Sequence, residues 1–204
     1  MNTLIEGLPK TVKVNGSPFL VKTNFYIGII FTELMTDRNI PPYDKVIQAI
    51  KLWYIDLPPM KTYDDIRAAF DAIMWFYTMG EDEEESKGGQ SPRSRIRQRP
   101  IRILDYEADQ GYIVSAFQQQ YGIDLTVENI HWWRFKMLFN GLTKQTKIVE
   151  IMQYRAMEID PKMSDKQRKF YQEMKILYAL PDRRTEEEKE RDFQEQLNIA
   201  LGGG

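Results

Sequence analysis

The chain has 204 residues, with 28 basic and 30 acidic side chains and a formal net charge of -2. That balance gives no global attraction to nucleic acid or to an anionic membrane, and the lack of cysteine excludes a disulfide framework and a thiolate zinc site. Hydrophobic residues at 42% and aromatic ones at 12% supply a core for one domain or two small ones.

The first element predicted is a β-hairpin. Val12 and Val14 alternate with polar neighbours, Asn15-Gly16 suits a turn with two positive φ angles, and Phe19 and Val21 continue the pattern. A lone hairpin is marginal in water, so it should lie on helices or pair with a partner's edge. Asn24 to Thr36 reads as a helix carrying Phe25, Ile29, Ile30, Phe31 and Leu34; Pro41-Pro42 breaks the chain. Tyr43 to Tyr54 gives a second helix, broken by Pro58-Pro59. Thr62 and Asp65 form a capping box for a third, whose stripe is Ile66, Ala69, Phe70, Ile73, Met74 and Tyr77. Gly80 ends it.

Residues 81–100 are different in kind. An acidic block containing Glu83 and Glu84 passes through Gly88-Gly89 to Arg93, Arg95, Arg97 and Arg99, with Ile96 as the lone apolar residue. Such a segment buries too little surface to offset its ordering entropy. The expected organisation is an N-terminal hairpin-plus-three-helix unit (1–80), a charged linker (81–100), a helical unit (101–182) and a C-terminal helix with a glycine tail (183–204). The fold class is mainly α.

Beyond the linker, Ile113, Val114, Phe117 and Tyr121 share a helix face, and Gly122 stands where a left-handed C-cap belongs. A second helix is predicted over 127–140. Its apolar residues, Ile130, Trp132, Trp133, Phe135, Met137, Leu138 and Phe139, go nearly all the way round, which places it at the centre of the domain. Residues 143–159 form another helix. Ser164 and Gln167 cap the next, with Phe170, Tyr171, Met174, Leu177 and Tyr178 as its stripe. Thr185 and Glu188 cap a last one, whose thin face of Phe193, Leu197, Ala200 and Leu201 suggests docking on a partner.

Few residues suggest chemistry. Asp105, Glu107 and Asp109, at spacing two, could serve magnesium, but on a helix each step turns about 200° and scatters them; acids meeting a helix dipole are the plainer reading. His131 is the only histidine and sits among aromatics, so it reads as packed and hydrogen-bonded to backbone rather than as a catalytic base. Trp132 and Trp133 point about 100° apart on a helix and cannot form one stacking platform. Core packing is the main reading, with one indole on a partner surface as the alternative. The linker arginines could grip phosphates, pair with the acidic block, or simply be solvated. No phosphate loop, dinucleotide-binding glycine pattern or nucleophile elbow occurs.

A set of words between 103 and 157 resembles the gene-product-fifteen family of tailed phages and prophages of Gram-positive bacteria. They are Ile103-Leu104-Asp105-Tyr106-Glu107, Tyr121-Gly122-Ile123-Asp124-Leu125, His131-Trp132-Trp133-Arg134-Phe135, Leu138-Phe139-Asn140-Gly141-Leu142, Ile151-Met152 and Tyr154-Arg155. The resemblance implies a non-enzymatic tail assembly chaperone, encoded beside the tape-measure gene, that keeps the tape-measure protein soluble until the tail tube forms on it. It implies no catalytic residue, cofactor or metal.

The expected partners are the tape-measure protein, then the tail tube protein and further copies of the chain, with neither nucleic acid nor membrane. Partner contacts are expected at Trp132, Trp133, Phe193, Leu197 and Leu201, and electrostatic ones at Glu83, Glu84, Arg93, Arg95, Arg97 and Arg99. No apolar run nears the ~18 residues of a membrane span, and no signal-peptide pattern opens the chain. The expected location is therefore the host cytoplasm, with the protein absent from the mature virion. The alternatives are a structural tail or connector subunit and a nucleic-acid-binding module using the arginine run.

Overall fold

The computed structural model describes residues 2–80 and 102–183, together with positions 187, 190, 191, 193 and 194. The charged segment 81–100 lies outside the described residues. Within them the chain forms eight helices and one two-stranded antiparallel sheet, so the fold is mainly α with an N-terminal hairpin.

The hairpin pairs β1 (Thr11–Val14) with β2 (Ser17–Leu20), Thr11 opposite Leu20 and Val14 opposite Ser17. Asn15 and Gly16 take φ values of 49° and 82°, as a two-residue turn of this twist requires. Val12 and Val14 are buried. Two features beyond local sequence support the hairpin. Asn15 Nδ2 donates to Asp65 Oδ1 at 3.2 Å. Past the end of β2, Val21 bridges Tyr54, and the Ile55 N–H donates to Leu20 O at 3.1 Å. Ahead of the hairpin lies a single helical turn, α1 (Thr3–Glu6), too short to leave a periodic signal.

Three helices follow: α2 (Phe25–Thr36), α3 (Pro42–Trp53) and α4 (Tyr63–Tyr77). Pro42 suits the first helical position, since its missing N–H would have had no partner there. The α4 capping box is complete despite the short acid. Thr62 Oγ1 accepts from the Asp65 N–H at 3.1 Å, and Asp65 Oδ2 accepts from the Thr62 N–H at 3.0 Å. These hydrogen bonds hold the Asp65 carboxyl below its ordinary pKa.

After residue 101 come α5 (Gln110–Tyr121), α6 (Trp132–Asn140), α7 (Lys147–Ala156) and α8 (Asp165–Leu177). Gly122 caps α5 at φ 68° in the left-handed region, and Ser164 with Gln167 completes the box at α8. Two boundaries correct the sequence reading. The helix predicted over 127–140 begins only at Trp132. Asp124 accepts from the Thr126 N–H and hydroxyl at 2.9 and 2.6 Å, making a tight turn. The backbone then runs extended beside Asn24, with the Phe25 N–H donating to Ile130 O at 2.9 Å and the Trp132 N–H to Thr23 O at 2.6 Å. Those long-range bonds take the groups that an earlier helical turn would have used. Similarly, the helix predicted over 143–159 is shortened to Lys147–Ala156.

The core is continuous across the charged segment. Phe76 and Tyr77 at the end of α4 touch Trp133 and Trp132 of α6, with ring centroids 5.8 and 5.4 Å apart. Phe135, wholly buried, stacks on Phe25, Phe117 and Trp132 at 5.2, 5.1 and 5.7 Å. Residues from both sides of 81–101 therefore share one hydrophobic cluster.

Candidate functional site

Trp132 and Trp133, where partner contacts were expected, are both buried in the chain's own core, 1% and 2% exposed. Each aims its N–H at the end of α4. Trp132 Nε1 donates to Tyr77 O at 3.0 Å, and Trp133 Nε1 donates to Phe76 O at 2.7 Å. These carbonyls lie in the last turn of α4, where no further helical turn follows to take them up; Phe76 O also accepts from the Met79 N–H at 3.3 Å. The two tryptophans therefore cap one helix from another, a use open to adjacent residues because one carbonyl follows the other.

His131 is the N-cap of α6. Its Nδ1 accepts from the Trp133 N–H at 3.0 Å, and its Nε2 lies 2.8 Å from Pro9 O. The backbone N–H can only donate and the carbonyl can only accept, so the ring carries its proton on Nε2. Burial is the main cause that pushes its pKa below the ordinary value; Lys10 acts in the same direction, against the bond to Pro9. This is the packed, backbone-bonded histidine that the sequence suggested.

The acids at 105, 107 and 109 precede α5 and meet arginines. Asp109 and Arg155, 1% and 8% exposed, form a two-pronged pair at 2.6 and 2.9 Å. Arg155 also donates to Ile103 O at 3.0 Å and to Tyr178 O at 2.6 Å. Asp105, 5% exposed, accepts the backbone N–H groups of Glu107 and Ala108 at 3.0 and 2.9 Å, and pairs with Arg102 at 3.1 Å and Arg183 at 2.9 Å. Arg183 in addition reaches Glu33 at 2.5 Å and Glu107 at 3.1 Å. The Glu33 carboxylate is the first cause of the raised Arg183 pKa. The readings of these acids as a magnesium site or as first-turn charges meeting a helix dipole both give way to this lattice. Buried carboxylates need compensating charge, and here guanidinium groups from α7 and from beyond α8 supply it. Arg183 lines three clefts, of about 580 Å³ beside Glu33 and Arg38, about 410 Å³ beside Arg102 and Pro181, and about 250 Å³ beside Tyr77 and Tyr106.

Exposed apolar side chains mark a different surface. On α8, Phe170, Ile176 and Leu177 are 45%, 78% and 65% exposed. Phe193, described as helical, is also exposed, as its partner role would require. Leu197, Leu201, Glu83, Glu84, Arg93, Arg95, Arg97 and Arg99 lie outside the described residues. Sequence reasoning missed Arg183, Gly28 and the ion-pairing role of Arg155, which it met only within the word Tyr154-Arg155. The two arginines are ordinary in local context. Gly28 sits in a regular helix, with the Trp132 ring against its backbone. A glycine in the middle of a helix, which weakens it, was the one available signal.

The chain matches the profile of the family described as Bacteriophage Gp15 protein over residues 4–180. No curated protein and no solved structure matches it. Most of the words that carried the resemblance supply core or lattice residues: Asp105, His131, Trp132, Trp133, Phe135 and Arg155.

Proposed function

Because the chain belongs to the Bacteriophage Gp15 protein family, we propose that it is a non-enzymatic tail assembly chaperone that binds the tape-measure protein and keeps it soluble until tail tube forms around it. The observation that carries this reading is the pairing of family membership with outward apolar side chains on α8 and at Phe193. A long amphipathic tape measure needs apolar cover that later yields to tube subunits, and partly exposed side chains on a surface helix offer cover of modest affinity per copy. The chain contains 10 methionines, whose flexible thioethers suit a surface that accepts varied apolar partners.

On this reading the protein acts in the host cytoplasm and is left behind when the virion matures. Tube subunits and further copies of the chain are secondary partners. No helix among the described residues is long and apolar enough to cross a membrane.

Co-expression with the adjacent tape-measure protein, followed by size-exclusion chromatography with light scattering, tests the proposal. The expected result is a soluble tape measure co-eluting with several copies of this chain. An insoluble tape measure, with this chain eluting alone, would overturn it. Detection of the chain in purified virions would favour a structural tail or connector subunit instead.

A further inference from the structure

Helix α8 is anchored unlike its neighbours. Helices α2 to α7 each bury three residues, whereas α8 buries none. No α8 side chain belongs to the hydrophobic cluster or packs against it.

What holds α8 is of two kinds. The first is aromatic and half exposed: Tyr154 of α7 stacks on Tyr178 at 6.0 Å and meets Phe170 and Tyr171 at 6.1 and 6.4 Å. The second is cationic. Lys175 Nζ donates to the carbonyls of Arg155 and Met157 at 3.2 and 2.5 Å, at the C-terminal end of α7. Arg155 holds Tyr178 O, and Arg102 holds Pro181 O at 2.8 Å. Arg183 then ties the end of this segment to Glu33 on α2 and to Asp105 and Glu107. The capping box at Ser164 and Gln167, and the Asp165–Arg168 pair, are internal to α8 and support the helix wherever it sits.

We infer that residues 165–183 form a releasable arm, latched to the body by Arg102, Arg155, Lys175 and Arg183 and able to leave it while the core stays folded. The Arg183 pairs with Glu33 and Glu107 are partly exposed and weaken as salt screens them, whereas the Lys175 and Arg102 contacts are charged hydrogen bonds to backbone carbonyls and apolar burial in the core is not screened. The two parts of the structure therefore open independently, as separate units of local stability. Release bares Tyr154 on α7 and the stripe of Tyr171, Met174 and Tyr178 on the arm, beside the already exposed Phe170 and Leu177. The exposed apolar surface then grows as a consequence of an electrostatic event. This inference does not rest on the chaperone proposal.

Hydrogen exchange by mass spectrometry on the full chain tests it. The comparison is between about 0.1 M and about 1 M NaCl, where the screening length falls from about 10 Å to about 3 Å. The arm should exchange about tenfold faster in high salt, and in Arg183→Gln at low salt, while α5 and α6 keep their protection. Two results would overturn the inference. One is an arm that exchanges with α5 and α6 at a common rate unmoved by salt or by R183Q, which would make it an integral part of the core. The other is an arm that exchanges as an unstructured chain at low salt, which would leave no latched state to release. No tape-measure protein is present in this assay, so its outcome is separate from that of the co-expression experiment.

Discussion

The Trp132 ring lies so close over the backbone of Gly28 that a Cβ built there would sit 2.3 Å from Trp132 Cε3. The ring cannot retreat, because Tyr77 and Phe135 stack against it and its N–H is bonded to Tyr77 O. Gly28→Ala removes a helix-interior glycine, which by itself favours the helix by ~1 kcal/mol. Overpacking a fixed core costs ~1–3 kcal/mol, and here it should win. The expected outcome is a lower midpoint in urea with an unchanged slope; a midpoint equal to or above the wild type would mean that the indole is not fixed.

The Asp109–Arg155 pair should behave as a unit. Removing one partner strands a buried charge, at ~3–5 kcal/mol. Asp109→Leu and Arg155→Met should each be strongly destabilising, and the double variant should be less so than their sum. Arg155→Lys should not rescue, since an ammonium cannot make the two-pronged contact while also holding Ile103 O and Tyr178 O. A double-mutant cycle in denaturant measures the coupling; additive losses would show that the pair does not act as a unit.

Two buried tryptophans offer an internal control. Trp133 Nε1 is bonded to Phe76 O, whereas Trp53 Nε1 has no partner among the described residues. Substitution by Phe removes similar volume at both sites, but only at 133 does it also remove a hydrogen bond, leaving Phe76 O with the Met79 N–H as its donor. Trp133→Phe should therefore cost more than Trp53→Phe by ~0.5–1.5 kcal/mol. Chemical unfolding of both variants decides it, and equal losses would assign no net value to the indole bond.

Stability should depend on the protonation of His131. Its folded pKa lies below the ordinary value of 6.5 because burial penalises the charged form. The unfolded chain therefore takes up a proton first as pH falls, and the folded state loses stability through the window just below 6.5. Above that window both states are neutral and the effect vanishes. His131→Asn keeps a competent N-cap but cannot titrate there. Melting temperatures of the wild type and H131N should diverge as pH drops from 7 to 5, with the wild type losing more; parallel curves would contradict the argument.

The apolar face of α8 should matter for partner retention and little for folding. Ile176→Ser and Leu177→Ser, at positions 78% and 65% exposed, should leave the melting temperature almost unchanged. Under the proposed function they should reduce the amount of soluble tape-measure protein recovered on co-expression. Full recovery with both substitutions in place would move the binding surface elsewhere.

How much of this could be read from residues in order depended on the range of the interaction. The Asn15-Gly16 turn, the boxes at Thr62 and Ser164, the left-handed Gly122 and the stripe of α4 were all legible. Each depends on groups within about four positions, so local sequence contains the whole cause. The late start of α6 was not legible, because the bonds that hold 130–132 extended come from Thr23 and Phe25. Nor was the fate of the 105–109 acids, whose partners Arg155 and Arg183 lie 46 and 78 positions from Asp109 and Asp105. The sequence by itself determined a mainly α chain with a hairpin, and marked Trp132 and Trp133 as core candidates by their position on an apolar helix. Only the tertiary structure decided that those indoles cap α4, that Gly28 makes room for one of them, and that the acids pair with arginines. Such outcomes follow from which distant backbone and charged groups become neighbours, and a buried polar group must be satisfied by whatever the fold brings to it.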